Sequence, residues 1–131
     1  MIFLDTSAIY ALADRDDAYH NDAVRLFQAA LEQGEEFIMH NYILAESSAL
    51  LQRRLSHQVA LQFLEDAGAF RVIWIDDALH GAAIRRFSDA NTSGVSFVDS
   101  VSFHVMTDLH IRLFLGFDQH FVKEGFASFT G

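Results

Sequence analysis

Ile2-Phe3-Leu4-Asp5-Thr6-Ser7 is the stretch that decides how the rest of the chain is read. Three apolar residues run directly into a carboxylate, which is how a buried parallel strand ends when its C-terminal tip opens onto a polar site. Ala8-Ile9-Tyr10-Ala11-Leu12-Ala13 follows at once, rich in helix formers and free of Gly and Pro, so strand passes to helix without a linker. Taken singly, Asp5 or Thr6 need be no more than the N-cap of that helix. Company for Asp5 elsewhere in the chain would argue for a site.

The same alternation continues outward. Asp14 to Asp17 reads as a polar turn in which Asp16 or Asp17 can cap a helix from about Ala18 to Glu32, with Ala23, Leu26, Phe27, Ala30 and Leu31 on one face and a stop at Gly34. Phe37-Ile38-Met39 predicts a second strand. Asn41 is placed to cap a third helix over Tyr42 to Leu55, and Ser56 to Ala67 continues helical up to Gly68. Arg71 to Ile75 predicts a third strand, Asp76 and Asp77 cap a helix through Phe87, and residues 89–94 are the most loop-like in the chain. Ser96-Phe97-Val98-Asp99 opens a helix to about His110 with Val98, Val101, Val105, Met106 and Leu109 inward. Ile111 to Phe117 makes a fourth strand with Asp118 at its tip, Gln119 to Glu124 a short helix, and Phe126 to Phe129 a small fifth strand.

Strands alternating with helices throughout call for a three-layer α/β fold around a parallel sheet, in one domain spanning residues 1–131. Right-handed crossovers lay strands 1, 2 and 3 in one direction and strands 4 and 5 on the other side of the first, giving the order 3-2-1-4-5. The switch point then falls between strands 1 and 4, beyond whose C-terminal ends open sheets of this kind bind ligands. Asp5 and Asp118 stand at those two tips. Glu46 lies about 40° from Leu50 around its helix, at the border of the buried face and with no Lys or Arg one turn away. Asp99 occupies a first helical turn at a similar rim, where the helix dipole also favours an acid.

Composition bounds the function. With 51% hydrophobic residues, 13 Phe and 21% charged residues in 131, the chain can bury a core, and no apolar run approaches the roughly 20 residues of a membrane helix. Lacking Cys and any basic lead to its short apolar start, it reads as cytoplasmic, with no membrane partner. Nine basic against 18 acidic residues, a net charge of −9, speak against a general nucleic-acid coat. They do not exclude a nucleic-acid enzyme, because bound divalent cations would reverse the local field. Four carboxylates meeting in one crevice must either hold protons or share a hard cation. Oxygen-only donors suit Mg2+ or Mn2+, whereas the absence of Cys and the scatter of the seven His argue against zinc. His120, two residues after Asp118, reads as a structural or substrate-side group in preference to a ligand.

Phe3-Leu4-Asp5-Thr6-Ser7, Ala45-Glu46, Ser96-Phe97-Val98-Asp99 and Phe117-Asp118-Gln119-His120-Phe121, in this order, together resemble the PIN domain, and most of all the VapC-type toxins of bacterial toxin-antitoxin pairs. The resemblance covers essentially the whole chain. It implies a metal-dependent endoribonuclease in which Asp5, Glu46, Asp99 and Asp118 form the catalytic quartet. Asp5, Asp99 and Asp118 would hold the Mg2+ or Mn2+ directly, Glu46 would complete the coordination or orient a water, and Thr6 or Ser7 would supply a hydroxyl beside the first acid. Gly116 departs from the pattern, since many members carry Thr or Ser there.

RNA is the implied substrate, with Arg53, Arg54, Arg85 and Arg86 as candidates to grip its phosphates or, more plainly, as solvated helix faces. The implied partners are a small antitoxin protein and a second copy of the chain in a homodimer. Two rivals share the architecture: a receiver-like Mg2+-binding regulatory module, and a PIN-fold interaction module without nuclease activity. A receiver expects paired acids after its first strand and a lysine after its last core strand. Here Asp5 stands alone, and Lys123, the chain's one lysine, lies in the short helix after Asp118.

Overall fold

The computed structural model describes residues 1–90 and 94–131, so that Asn91, Thr92 and Ser93 of the expected loop lie outside the described residues. In chain order the elements are β1 (Ile2–Leu4), α1 (Thr6–Ala13), α2 (His20–Glu32), β2 (Phe37–His40), α3 (Asn41–Arg54), α4 (His57–Asp66), β3 (Arg71–Ile73), α5 (Asp77–Asp89), α6 (Phe97–Asp108), β4 (Leu113–Leu115), α7 (Gln119–Lys123) and β5 (Ala127–Ser128). All neighbouring strands run parallel, in the order β3-β2-β1-β4-β5. This is the order that right-handed crossovers require of the sequence.

Alternation along the strands sorts the core into two layers. Phe3 pairs with Ile38 on one side and Phe114 on the other, so these three share a face, together with His40 two residues after Ile38. Against that face pack Phe103 of α6 and Phe121 of α7, with Phe121 ring centroids 6.2 Å from Phe3, 4.9 Å from Phe103 and 4.8 Å from Phe114. The opposite face carries Leu4 and Phe37, against which α2 sets Phe27, stacked on Phe37 at 4.7 Å, while Leu51 of α3 lines the same apolar pocket as Leu4. Phe3, Phe103, Phe114 and Phe121 are all fully buried. Aromatic pairs in offset or edge contact add about 0.5–1.5 kcal/mol each beyond their buried area, so this layer is a stiff floor beneath the strand ends.

Several element boundaries differ from the sequence reading, each for a local reason. β3 stops at Ile73 because the Ile75 N–H donates to Asn41 Oδ1 at 2.7 Å, leaving the ladder, and Trp74 turns out to solvent. Asn41 therefore does not cap α3. The buried His40 does, accepting from the Ile43 N–H on Nδ1 at 3.3 Å. Asp17 likewise caps no helix but accepts from the Tyr19 N–H at 2.9 Å, and α2 begins only at His20. Leu31 and Leu109, expected inward, are exposed. Ser56 and Asp76 cap α4 and α5 through their side chains.

Candidate active site

β1 and β4, the strands flanking the switch point, each hand over to a helix whose start carries an acid, and a third acid stands in the first turn of α6, which follows α5. Asp5 is the N-cap of α1, its Oδ2 accepting from the Ser7 N–H at 3.3 Å and the Ser7 hydroxyl at 2.7 Å. Asp118 is the N-cap of α7, its Oδ1 accepting from the His120 N–H at 2.9 Å. Asp99 closes a reciprocal capping box in the first turn of α6: its Oδ2 accepts from the Ser96 N–H at 3.0 Å while Ser96 Oγ accepts from the Asp99 N–H at 3.1 Å. For these three acids, capping a helix and lining a crevice are the same geometry seen from two sides.

Glu46 comes from the second turn of α3 and is tied to the first strand tip by hydroxyls. Ser47 Oγ donates to Thr6 Oγ1 at 3.1 Å, and Thr6 Oγ1 donates to Glu46 Oε1 at 2.7 Å. Asp5, Thr6, Ser7, Glu46, Ser96, Asp99 and Asp118 line one crevice of about 490 Å³. The structure thus brings together all four acids and both hydroxyl residues singled out in the sequence.

Gly116 has a steric role here. A Cβ at this position would stand 3.0 Å from Asp5 Cβ and 3.1 Å from Ser7 Oγ. Ser7 Oγ fills the space that a side chain at 116 would need, and it bridges the two strand tips by accepting from the Phe117 N–H at 2.8 Å as it donates to Asp5.

The four acids are crowded together, and His120 is a basic side chain set against them, 2.7 Å from Asp118. Among the described residues no Lys or Arg forms an ion pair with any of the four. Burial raises the Asp5 carboxyl from its ordinary 3.8 to about 7, outweighing the two Ser7 hydrogen bonds, and the nearby Asp99 charge adds to the rise. Burial also raises Glu46, against the Thr6 hydrogen bond and with help from Asp99 and Asp118. Asp99 is raised by burial and by Asp118, the Ser96 amide opposing. A cation would relieve all three.

Ligand atoms of Asp99, Asp118 and His120 lie within 4.8 Å of one another, close enough to share one ion. His120 Nδ1 sits 2.7 Å from Asp118 Oδ1, and the ring packs where Gly94 has no side chain, a Cβ there falling 3.1 Å from its Cε1. The donor set fits a hard divalent ion: carboxylate oxygens dominate, and no thiolate exists in the chain.

The four arginines do not act as a group. Arg54 lines the acidic crevice, its guanidinium carbon 5.3 Å from the centroid of the Tyr10 ring, whose hydroxyl donates to Asp14 at 2.6 Å. Arg85 and Arg86 line a separate cavity of about 620 Å³ between α5 and α6, where Arg86 pairs with Glu124 at 3.0 Å. Arg53 is exposed and lines neither. Sequence reasoning missed Tyr19 and Phe117, whose rings also line the acidic crevice. Nothing in their spacing, 98 positions apart, signals a contact.

A parallel sheet with a carboxylate cluster at its switch point defines a class, the α/β proteins that keep an acidic crevice beyond their central strands. Within that class the chain belongs to the PIN domain family, whose model matches residues 2–126. It is similar to the 23S rRNA-specific endonuclease VapC20 of Mycobacterium tuberculosis, in strains CDC 1551 / Oshkosh and ATCC 25618 / H37Rv, at 33% identity over 129 residues, 97% of this chain and 96% of the relative. Its fold superposes on the crystal structure of Mycobacterium tuberculosis VapC20, a Sarcin-Ricin loop cleaving toxin, with a TM-score of 0.87 at 30% identity, covering 97% of both chains. These likenesses favour the nuclease reading over the receiver-like one.

Because Asp5 binds its proton more tightly folded than unfolded, its contribution to stability is fully present below about pH 4 and is lost as pH rises towards 7. Metal-free protein therefore carries a penalty at pH 8 on the order of a few kcal/mol, which Asp5→Asn removes. Urea unfolding in chelator should show Asp5→Asn more stable than wild type at pH 8, with the gap nearly closed at pH 4. A wild type that is the more stable protein at pH 8 would contradict this electrostatic picture.

Proposed function

We propose that the chain is a divalent-metal-dependent endoribonuclease, the toxin member of a toxin-antitoxin pair. One observation carries the reading: four carboxylates from four different elements converge in one crevice, three of them with raised pKa, and no Lys or Arg among the described residues pairs with them. Kinship to a 23S rRNA-specific endonuclease supplies the substrate class, and a hairpin carrying the sarcin-ricin loop is the RNA to offer first.

In this reading Asp5, Asp99 and Asp118 hold Mg2+ or Mn2+. When bound, such an ion supplies Lewis-acid stabilisation of the phosphate and a more acidic water. Glu46, oriented by the Ser47 to Thr6 to Glu46 hydroxyl chain, offers its carboxylate to a water or to the coordination sphere. Ser7 fixes the Asp5 carboxylate and the neighbouring backbone at Phe117 together. His120 steadies Asp118 through the 2.7 Å contact. Arg54, at the crevice wall, meets a phosphate of the RNA, whereas Arg85 and Arg86 face another cavity and do not.

Among the described residues no helix is long and apolar enough to cross a membrane. Work on RNA in the cytoplasm, blockade of the crevice by a small antitoxin and pairing of the chain with itself complete the proposal; the native mass of the co-purified complex reads the last two.

Cleavage of end-labelled hairpin RNA in Mg2+ or Mn2+ should stop with chelator. It should fall by more than about a hundredfold in Asp99→Asn, since even groups that only support a metal ligand account for ten- to a hundredfold. Cutting by the variant at wild-type rate would remove Asp99 from the site. Arg54→Ala should raise KM and lower the salt dependence by roughly one phosphate contact, and an unchanged salt slope would release Arg54 from that role.

A further inference from the structure

Tyr19 and Phe117 stack with ring centroids 4.4 Å apart and planes 9° from parallel, at the wall of the crevice that holds the four acids. Both backbones are pinned. The Tyr19 N–H is held by Asp17 Oδ2 at 2.9 Å, and the Phe117 N–H by Ser7 Oγ at 2.8 Å. Phe117 immediately precedes Asp118, so its ring is anchored beside the acidic cluster. Phe117 covers one face of the Tyr19 ring, yet Tyr19 remains 50% exposed, which leaves an aromatic surface open to whatever enters the crevice. The residues around it are polar: Asp17, Ser96 and Arg54 line the same space. An aromatic face among polar groups, next to a cluster suited to phosphate chemistry, matches the two-part chemistry of an unpaired nucleotide.

We propose that the Tyr19–Phe117 stack is a platform for one unpaired nucleobase of the RNA, adjacent to the phosphate that is cut. The inference rests on the endoribonuclease reading and adds the element that holds the substrate. Acids and bound cations position the backbone, whereas an aromatic face takes a base whatever its hydrogen-bonding edge. Every base has a π-face, so a pre-stacked aromatic pair takes one without losing further side-chain freedom. The platform also gives the enzyme a preference for loops over duplex, because a base must leave its helix to reach it.

The test is steady-state cleavage of the hairpin RNA by wild type, Tyr19→Phe and Tyr19→Leu, each on intact RNA and on RNAs with a single abasic nucleotide scanned across the loop. Leucine still covers Phe117 but offers no π-face. Tyr19→Leu should raise KM by roughly 5- to 150-fold with kcat far less affected, the range expected for one base–aromatic stack, while Tyr19→Phe stays close to wild type. At one loop position the abasic RNA should cost wild type the same factor and Tyr19→Leu nothing more. A Tyr19→Leu KM equal to wild type, or losses that multiply at every abasic position, would overturn the platform while leaving the nuclease standing. Loss of protein-partner binding with an unchanged KM would also overturn it and assign the rings to that partner. Wild type that cleaves no RNA in either metal would defeat the underlying reading and the platform with it.

Discussion

The structure depends on placing carboxylates where helices begin, at the one edge of a parallel sheet where helix N-termini gather. Two opposed effects act on each. N–H and hydroxyl donors from the helix start stabilise the anion, and removal from water among like charges destabilises it. For Asp5 and Asp99 the second effect wins, and both bind protons more tightly than a free aspartate despite their hydrogen bonds. The caps therefore fix where the oxygens point without neutralising them. An oriented anion that lacks a counter-charge is the form in which a protein stores affinity for a cation.

Rigidity behind the site follows from the same edge. Phe3, Phe103, Phe114 and Phe121 pack directly beneath the tips of β1 and β4, and Gly116 lets Ser7 lie between them. His40 makes a further tie. Its Nε2 meets Ser102 Oγ at 2.8 Å, Ser102 Oγ lies 3.1 Å from the Val98 carbonyl, and Nδ1 accepts from the Ile43 N–H. If Ser102 donates to Val98, His40 must carry its proton on Nε2, and burial pushes its pKa down to about 3 so that it stays neutral. One uncharged imidazole thereby links the helix bearing Glu46 to the helix bearing Asp99. A charged residue in its place would sit within the aromatic layer with no partner.

Fold legibility was high because the strand-helix alternation and crossover handedness leave one economical topology. Three of the four acids are legible for a related reason, since strand tips and first turns are positions that sequence pattern can locate, and Glu46 is legible from its place at the border of a helix's apolar arc. Asp5, Asp99 and Asp118 read from sequence as caps or as site residues, and the structure makes them caps that also line the crevice. What pattern could not reach depends on tertiary contact. Asn41 lost the α3 cap to His40 because its own side chain is taken by the Ile75 amide across the sheet edge. Arg54 and Arg85 looked equivalent as helix-borne cations, yet they face different cavities. Tyr19 sits in a turn that composition describes only as polar, and its partner Phe117 is nearly a whole chain away. The spacing of His120 from Asp118 was visible, but the direction of its ring, set by Gly94, was not.

Proton release on metal binding tests the central claim most directly. Titration calorimetry with Mn2+ at pH 6.5, repeated in buffers of different ionisation enthalpy, counts protons lost as the ion enters. With Asp5 near pKa 7 and Glu46 and Asp99 raised alongside it, the account expects the apparent enthalpy to vary with the buffer, showing net release, and the variation to shrink at pH 8.5. Tight binding at pH 6.5 with no buffer dependence would mean that the carboxylates are already ionised in the free protein, and would contradict the account.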